Sequence, residues 1–174
     1  MNRFILGVCS LLMCWSAVAS VTFDPDKVKA VYLVRFANFI HWPQEKSLEH
    51  INYCVVGQND VTDVLEQVLD SQTVRNKALV FHRVQNEAEL NDCQLVYLTP
   101  ESTKNHTYQL EREGLVSVSD ARAFAETQGM VEFREKSGRI LPVINIDQAD
   151  KNNVIVRSQL LRISKIISQP QGEK

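Results

Sequence analysis

The chain predicts an α/β domain, a three-layer sandwich with a mostly parallel central sheet and an antiparallel hairpin added near the C-terminus. Three observations carry this. Short apolar runs alternate with stretches of helical periodicity from residue 26 to residue 125, the cadence of a parallel sheet joined by crossovers. Those runs are apolar throughout rather than alternating, as strands buried on both faces are. Residues 130–134 and 140–146 flank Glu135-Lys136-Ser137-Gly138-Arg139, a hairpin signal with glycine in the turn.

The elements follow in order. After Asp24-Pro25-Asp26 a helix is expected over 26–40, with Asp26 as candidate N-cap and Pro43 barring continuation. Residues 51–56 read as the first strand, ended by Gly57. Asn59-Asp60 then caps a helix whose Val61, Val64, Leu65, Val68 and Leu69 recur at helical spacing. Strand two is placed at 78–81, a short helix at 87–90, and strand three at 94–98, stopped by Thr99-Pro100. A polar helix over 101–112, strand four over 115–118 and a helical turn over 121–125 complete the alternation. Pro142 cannot donate to a ladder, which argues for an edge or bulged strand. A last amphipathic helix is expected over 157–167.

Residues 1–19 read as a secretory signal peptide. Arg3 supplies the positive n-region, an apolar run follows, and Ala17-Val18-Ala19 is a small-x-small cleavage site. The run is short of the roughly 20 residues that span a bilayer. The expected organisation is therefore a leader, one α/β domain over 20–167, and a flexible tail over 168–174, in a chain exported from the cytoplasm and not inserted in the membrane. Loss of the leader removes Arg3 and leaves 18 basic against 21 acidic residues, a net charge of −3. That near-neutral balance, without a lysine or arginine run, excludes nucleic acid as the expected partner.

Cys9 and Cys14 leave with the signal, so the exported chain holds only Cys54 and Cys93. An even pair in an oxidising compartment reads as a disulfide, against the alternative of two separately buried thiols.

Patterns that carry chemistry are absent: there is no Gly-x-Ser-x-Gly elbow, Walker loop, dinucleotide fingerprint or His-Glu-x-x-His. His41 and Glu45 are four apart, but Pro43 breaks the helix that would align them as metal ligands. Neither an enzyme nor a cofactor or metal is expected. What remains is geometric, because parallel sheets bind ligands at the carboxyl ends of their strands. Gly57 and Asn59, Ser102, and Ser119 with Asp120 stand at those ends and could hold a small polar ligand. Helix caps and turns use the same residue types, and composition alone does not separate the two.

The first helix is the most informative segment. On a helical wheel Val28, Tyr32, Leu33, Phe36, Ala37, Phe39 and Ile40 form a broad core side. Lys27, Arg35, Asn38 and His41 gather opposite, with Val31, Val34 and Trp42 among them. Such a surplus of apolar surface needs a second layer of the domain or another protein to cover it. Val31, Val34, Arg35 and Trp42 are therefore the candidates for a partner or dimer interface. The alternative for Trp42 is that the turn at Pro43 rotates it inward.

Lys29-Ala30-Val31-Tyr32-Leu33 followed by Phe36-Ala37-Asn38-Phe39-Ile40-His41-Trp42-Pro43 resembles the opening of the YfiR family. The likeness continues in order through Tyr53-Cys54-Val55-Val56-Gly57, Cys93-Gln94-Leu95-Val96-Tyr97-Leu98, Val116-Ser117-Val118-Ser119-Asp120, Gly129-Met130-Val131-Glu132-Phe133, Ile144-Asn145-Ile146 and Ser158-Gln159-Leu160-Leu161-Arg162. The resemblance implies an exported periplasmic α/β protein, often a homodimer, without known catalysis. It implies binding to the periplasmic part of an inner-membrane diguanylate cyclase, held inactive, with cyclic-di-GMP signalling and biofilm control downstream. The resemblance implies that the redox state of the family's cysteines can tune inhibition, and by match Cys54 and Cys93 correspond to a disulfide of the family. A second cysteine pair that other members carry nearer the C-terminus is lacking in this chain. A periplasmic ligand-sensing module feeding another membrane protein is the alternative reading.

Overall fold

A computed structural model describes residues 23–43 and 45–168. The signal peptide expected at 1–19 and all but the first residue of the expected tail lie outside them. Helix α1 spans Pro25–Phe39. Its N-cap is Asp24 rather than Asp26: the Asp24 carboxylate accepts from the amides of Asp26 and Lys27, with Pro25 in the first turn. Proline there forfeits only an amide that has no helical partner. The helix ends without glycine or a basic last turn. Distant groups take carbonyls at this end instead: the Arg75 guanidinium donates to Ala37 and to Ile40 just past the helix, from 38 and 35 residues away, and the Arg157 amide donates to Phe39.

Strand β1 (Ile40–His41) follows directly, then β2 (His50–Val56), α2 (Asp60–Leu69), β3 (Thr73–Val74), β4 (Lys77–Val84) and, after a 3-10 turn at Glu87–Asp92, β5 (Leu95–Leu98). Asn59 caps α2 as the sequence indicates, exchanging hydrogen bonds with Thr62 in a capping box. The second half contains α3 (Pro100–Lys104), β6 (Val116–Ser119), α4 (Phe124–Thr127), β7 (Val131–Lys136), β8 (Arg139–Asn145), α5 (Ile146–Lys151), β9 (Ile155–Val156), α6 (Ser158–Leu161) and β10 (Lys165–Ile167).

The main sheet runs β10-β8-β7-β6-β5-β2-β4-β3, and β1 pairs with β9 in a separate two-stranded sheet. Pairings from β4 through β2, β5 and β6 to β7 are parallel, β7–β8 is the expected antiparallel hairpin, and β10 returns parallel to β8. Alternate residues feed two cores. Tyr53, Val55, Leu95, Tyr97, Val116, Val118 and Phe133 pack under α1 and α2. Cys54, Val96 and Leu98 face the other way, onto Leu90, Leu110, Leu115 and Phe124.

Three expectations are corrected. The helix over 101–112 stops at Lys104. Buried Asn152 explains why: its amide donates to the carbonyls of Leu110 and Leu115 and accepts from the Arg112 amide, holding that stretch as irregular chain. The helix over 157–167 is a single turn followed by a strand, because Ile166 pairs with Ile144 and extends the sheet. The hairpin's second strand is not the edge, since β10 covers its Val143–Asn145 stretch. Pro142 sits just beyond that pairing, opposite Phe133, where its missing amide costs no bond to β10.

Candidate interaction surface

The strand-end residues are the first to place. Neighbours β4 and β5 leave β2 on opposite sides, so the crevice between β2 and β5 is the topological switch point where doubly wound sheets bind ligands. Here its polar groups are paired with one another. Gly57 ends β2 at φ +84°, and a Cβ on it would lie 2.3 Å from the Thr99 hydroxyl. Asn59 Nδ2 donates to the Tyr97 hydroxyl (3.2 Å), which donates to Asp120 Oδ1 (2.6 Å). Lys29 of α1 completes the chain, 2.6 Å from Asp120 Oδ2 and 3.0 Å from Asp26. Burial and the adjacent Asp120 carboxylate push the Tyr97 phenol far up, so it stays protonated and a donor. Burial alone would pull the Lys29 ammonium down, but its hydrogen bonds to Asp120 and Asp26 outweigh it and the pKa is raised.

Ser119 and Ser102 are likewise engaged. Ser119 Oγ donates to the Leu98 carbonyl and accepts from the Ala121 amide, and Ser102 closes the Thr99 cap of α3. Of the two readings open for these loops, capping and latching use every polar group named. The latch ties the N-terminal end of α1 to the strand ends, a link that sequence spacing did not show because Lys29 and Asp120 are 91 residues apart.

Cys54 and Cys93 form a disulfide with Cα atoms 5.9 Å apart, in the second core beside Leu90. It joins the middle of β2 to the residue that starts the approach to β5, and both cysteines are buried.

The opposite end of α1 decides Trp42. Four per cent exposed, it packs in the main core, and its Nε1 donates to the Gln94 carbonyl at 3.0 Å. After Phe39 the chain leaves the helix for β1, so the wheel no longer governs residue 42 and the turn rotates the indole inward. Trp42 is thus withdrawn from the surface set by its own core. In the same turn His41 and Glu45 do meet, 3.5 Å apart, despite Pro43, and Arg75 joins them through its ion pair to Glu45. The described residues contain no group of three or more His, Cys, Asp or Glu able to hold a metal ion.

This cluster gives a pH-dependent expectation. Burial tends to raise the Glu45 carboxyl, but the Arg75 hydrogen bond and charge and the Trp42 amide hold it below its ordinary 4.5. A depressed folded pKa contributes stability above 4.5 that is lost as pH falls through the folded value. Thermal melts between pH 6 and pH 3 should therefore drop more steeply for the wild type than for Glu45→Gln. Parallel curves would show that the carboxylate contributes nothing on folding.

What remains on the surface is the outer side of α1. Val31 is 42% exposed and Arg35 is exposed, whereas Val34 is half-buried and packs on the main core. Beside Val31 and Arg35 runs a groove of about 460 Å³, floored by Val28, Tyr32, Phe36 and Phe39 and walled by Leu160 and Ile163 after α6. That second wall was not foreseen, because residues 157–167 read as an amphipathic helix with its own buried face.

The fold and this surface define a class: a disulfide-stapled α/β domain whose strand-end polar groups are paired with one another, with an open apolar groove on its first helix. A family model described as YfiR/HmsC-like matches residues 26–165, well over half of the chain, and the chain belongs to that family. No curated protein matches it. Among the described residues no helix is long and apolar enough to cross a membrane.

Proposed function

We propose that this protein is a periplasmic, non-enzymatic regulator that binds the periplasmic part of an inner-membrane diguanylate cyclase and holds it inactive. What supports this reading is the exposed apolar groove along α1 in a chain of the YfiR/HmsC-like family. Export through the signal peptide puts the groove on the side of the membrane where such a domain lies. Repression works as a population shift: binding one arrangement of the cyclase disfavours its active one by a few kcal/mol.

Val31→Asp tests it. The side chain is exposed at a helix surface, so stability should change by no more than about 0.5 kcal/mol. Cells carrying the variant should show cyclic-di-GMP raised to the level of the deletion strain, and pull-down of the cyclase should fail. Sedimentation of the same variant reads whether self-association, which the family resemblance implies, uses this face. A deletion strain with unchanged cyclic-di-GMP would sink the repressor reading.

A further inference from the structure

We infer that the α1 groove accepts an amphipathic helix of a partner protein whose apolar stripe is flanked by carboxylates, and that it is not a face for a second copy of this chain. This deepens the proposed function and rests on it for the location of the partner. The shape points to a helix. Val28, Tyr32, Phe36 and Phe39 line the groove along three turns of α1, about 16 Å at 1.5 Å per residue. An apolar strip of that length along one helix matches a partner helix presenting side chains at i, i+3, i+4 and i+7. Ile163 in the groove lining is 52% exposed, and the apolar surface continues past the groove to Ile166, 49% exposed, which pairs with Ile144 of the same core.

Charge selects the occupant. Lys27 in the groove wall is paired with Asp24, and Asp26 with Lys29. After Asp26 there is no carboxylate in α1, and none in α6 or β10. Arg35, which lines the groove, is exposed and has no ion pair or side-chain hydrogen bond among the described residues, and no carboxylate lines the groove with it. An apolar floor lined by Lys27 and the unmatched Arg35, with no carboxylate in the lining, complements an acidic, not a basic, helix. Two copies meeting about a twofold axis through this face would set the cationic wall against itself. An anionic lipid surface is recognised by clusters of about four to eight lysines or arginines, whereas Lys27 and Arg35 are the two cations that line this groove, and a recess suits an inserted ridge better than a flat bilayer.

The test places a photo-crosslinking benzoylphenylalanine at Val31 of the full chain in its native cell and sequences the adduct peptide. The expected adduct is a segment of another protein with helical apolar spacing and at least two carboxylates within one turn of it. Arg35→Glu in the same chain should lower adduct yield at least fivefold, with the melting temperature unchanged. An adduct with a second copy, with lipid, or with a peptide lacking carboxylates overturns the inference, as does no adduct, or a yield indifferent to Arg35→Glu. The two readings separate cleanly. An acidic helix from a protein other than a cyclase keeps this inference and removes the proposed function. Raised cyclic-di-GMP on deletion with no such adduct does the reverse.

Discussion

Trp42→Ala is expected to lower the free energy of unfolding by about 3–5 kcal/mol, the range for truncating a large buried aromatic. The indole lies in the main core at 4% exposure and bridges the C-terminal end of α1 to the start of β5. The Gln94 carbonyl it reaches also accepts from the Val116 amide, so Trp42→Phe keeps most of the packing and forfeits one of two bonds to that oxygen. The phenylalanine variant should therefore cost about 1 kcal/mol for the hydrogen bond, plus a smaller packing loss. Urea unfolding of the three proteins measures both, and an unchanged slope shows that stability alone has moved. Partner binding by Trp42→Phe should match the wild type. Full stability in Trp42→Ala would mean that the residue is not in the core.

Removal of the disulfide has the second large effect. The cysteines are 39 residues apart, and closing a loop of that length is worth about 4 kcal/mol on the chain-entropy account, an upper figure when native strain is present. Cys54→Ala with Cys93→Ala should lose somewhat less than this, and reduced wild type should lose a similar amount, because both thiols stay buried beside Leu90 and Val96. Denaturation with and without reductant checks it. Equal midpoints in the two conditions would show that the bridge is not formed in the protein. The groove on α1 lies across the sheet from this bridge, so pull-down by reduced protein at temperatures where it stays folded separates a purely structural staple from a redox control.

Much of the fold was legible because it rests on local signals. Asn59 capping α2, Gly57 ending β2, Thr99-Pro100 ending β5 and the Ser137-Gly138 turn each act through neighbours within a few residues. The errors fall where a distant residue wins. The 101–112 stretch has helical composition but yields to Asn152, some 40 residues on, which takes its backbone groups. The 157–167 stretch has helical periodicity, yet β8 offers it a ladder. For the candidate site, the excess apolar surface of α1 was readable from the wheel. Its second wall was not, since Leu160 and Ile163 come to α1 only through the return of the chain after β9.

The sequence by itself determined the α/β class, the order of the central strands β2, β4, β5 and β6 and of the β7–β8 hairpin, and the pair of cysteines available to bridge. It also set the apolar excess of α1, because periodicity and turn chemistry are properties of adjacent residues. Only the tertiary structure decided that Trp42 turns inward while Val31 and Arg35 stay out, that Lys29 and Arg75 tie down the two ends of α1, and that the groove lacks acidic walls. Those outcomes depend on which groups 35 to 91 residues apart meet in space, and no local pattern encodes such a meeting.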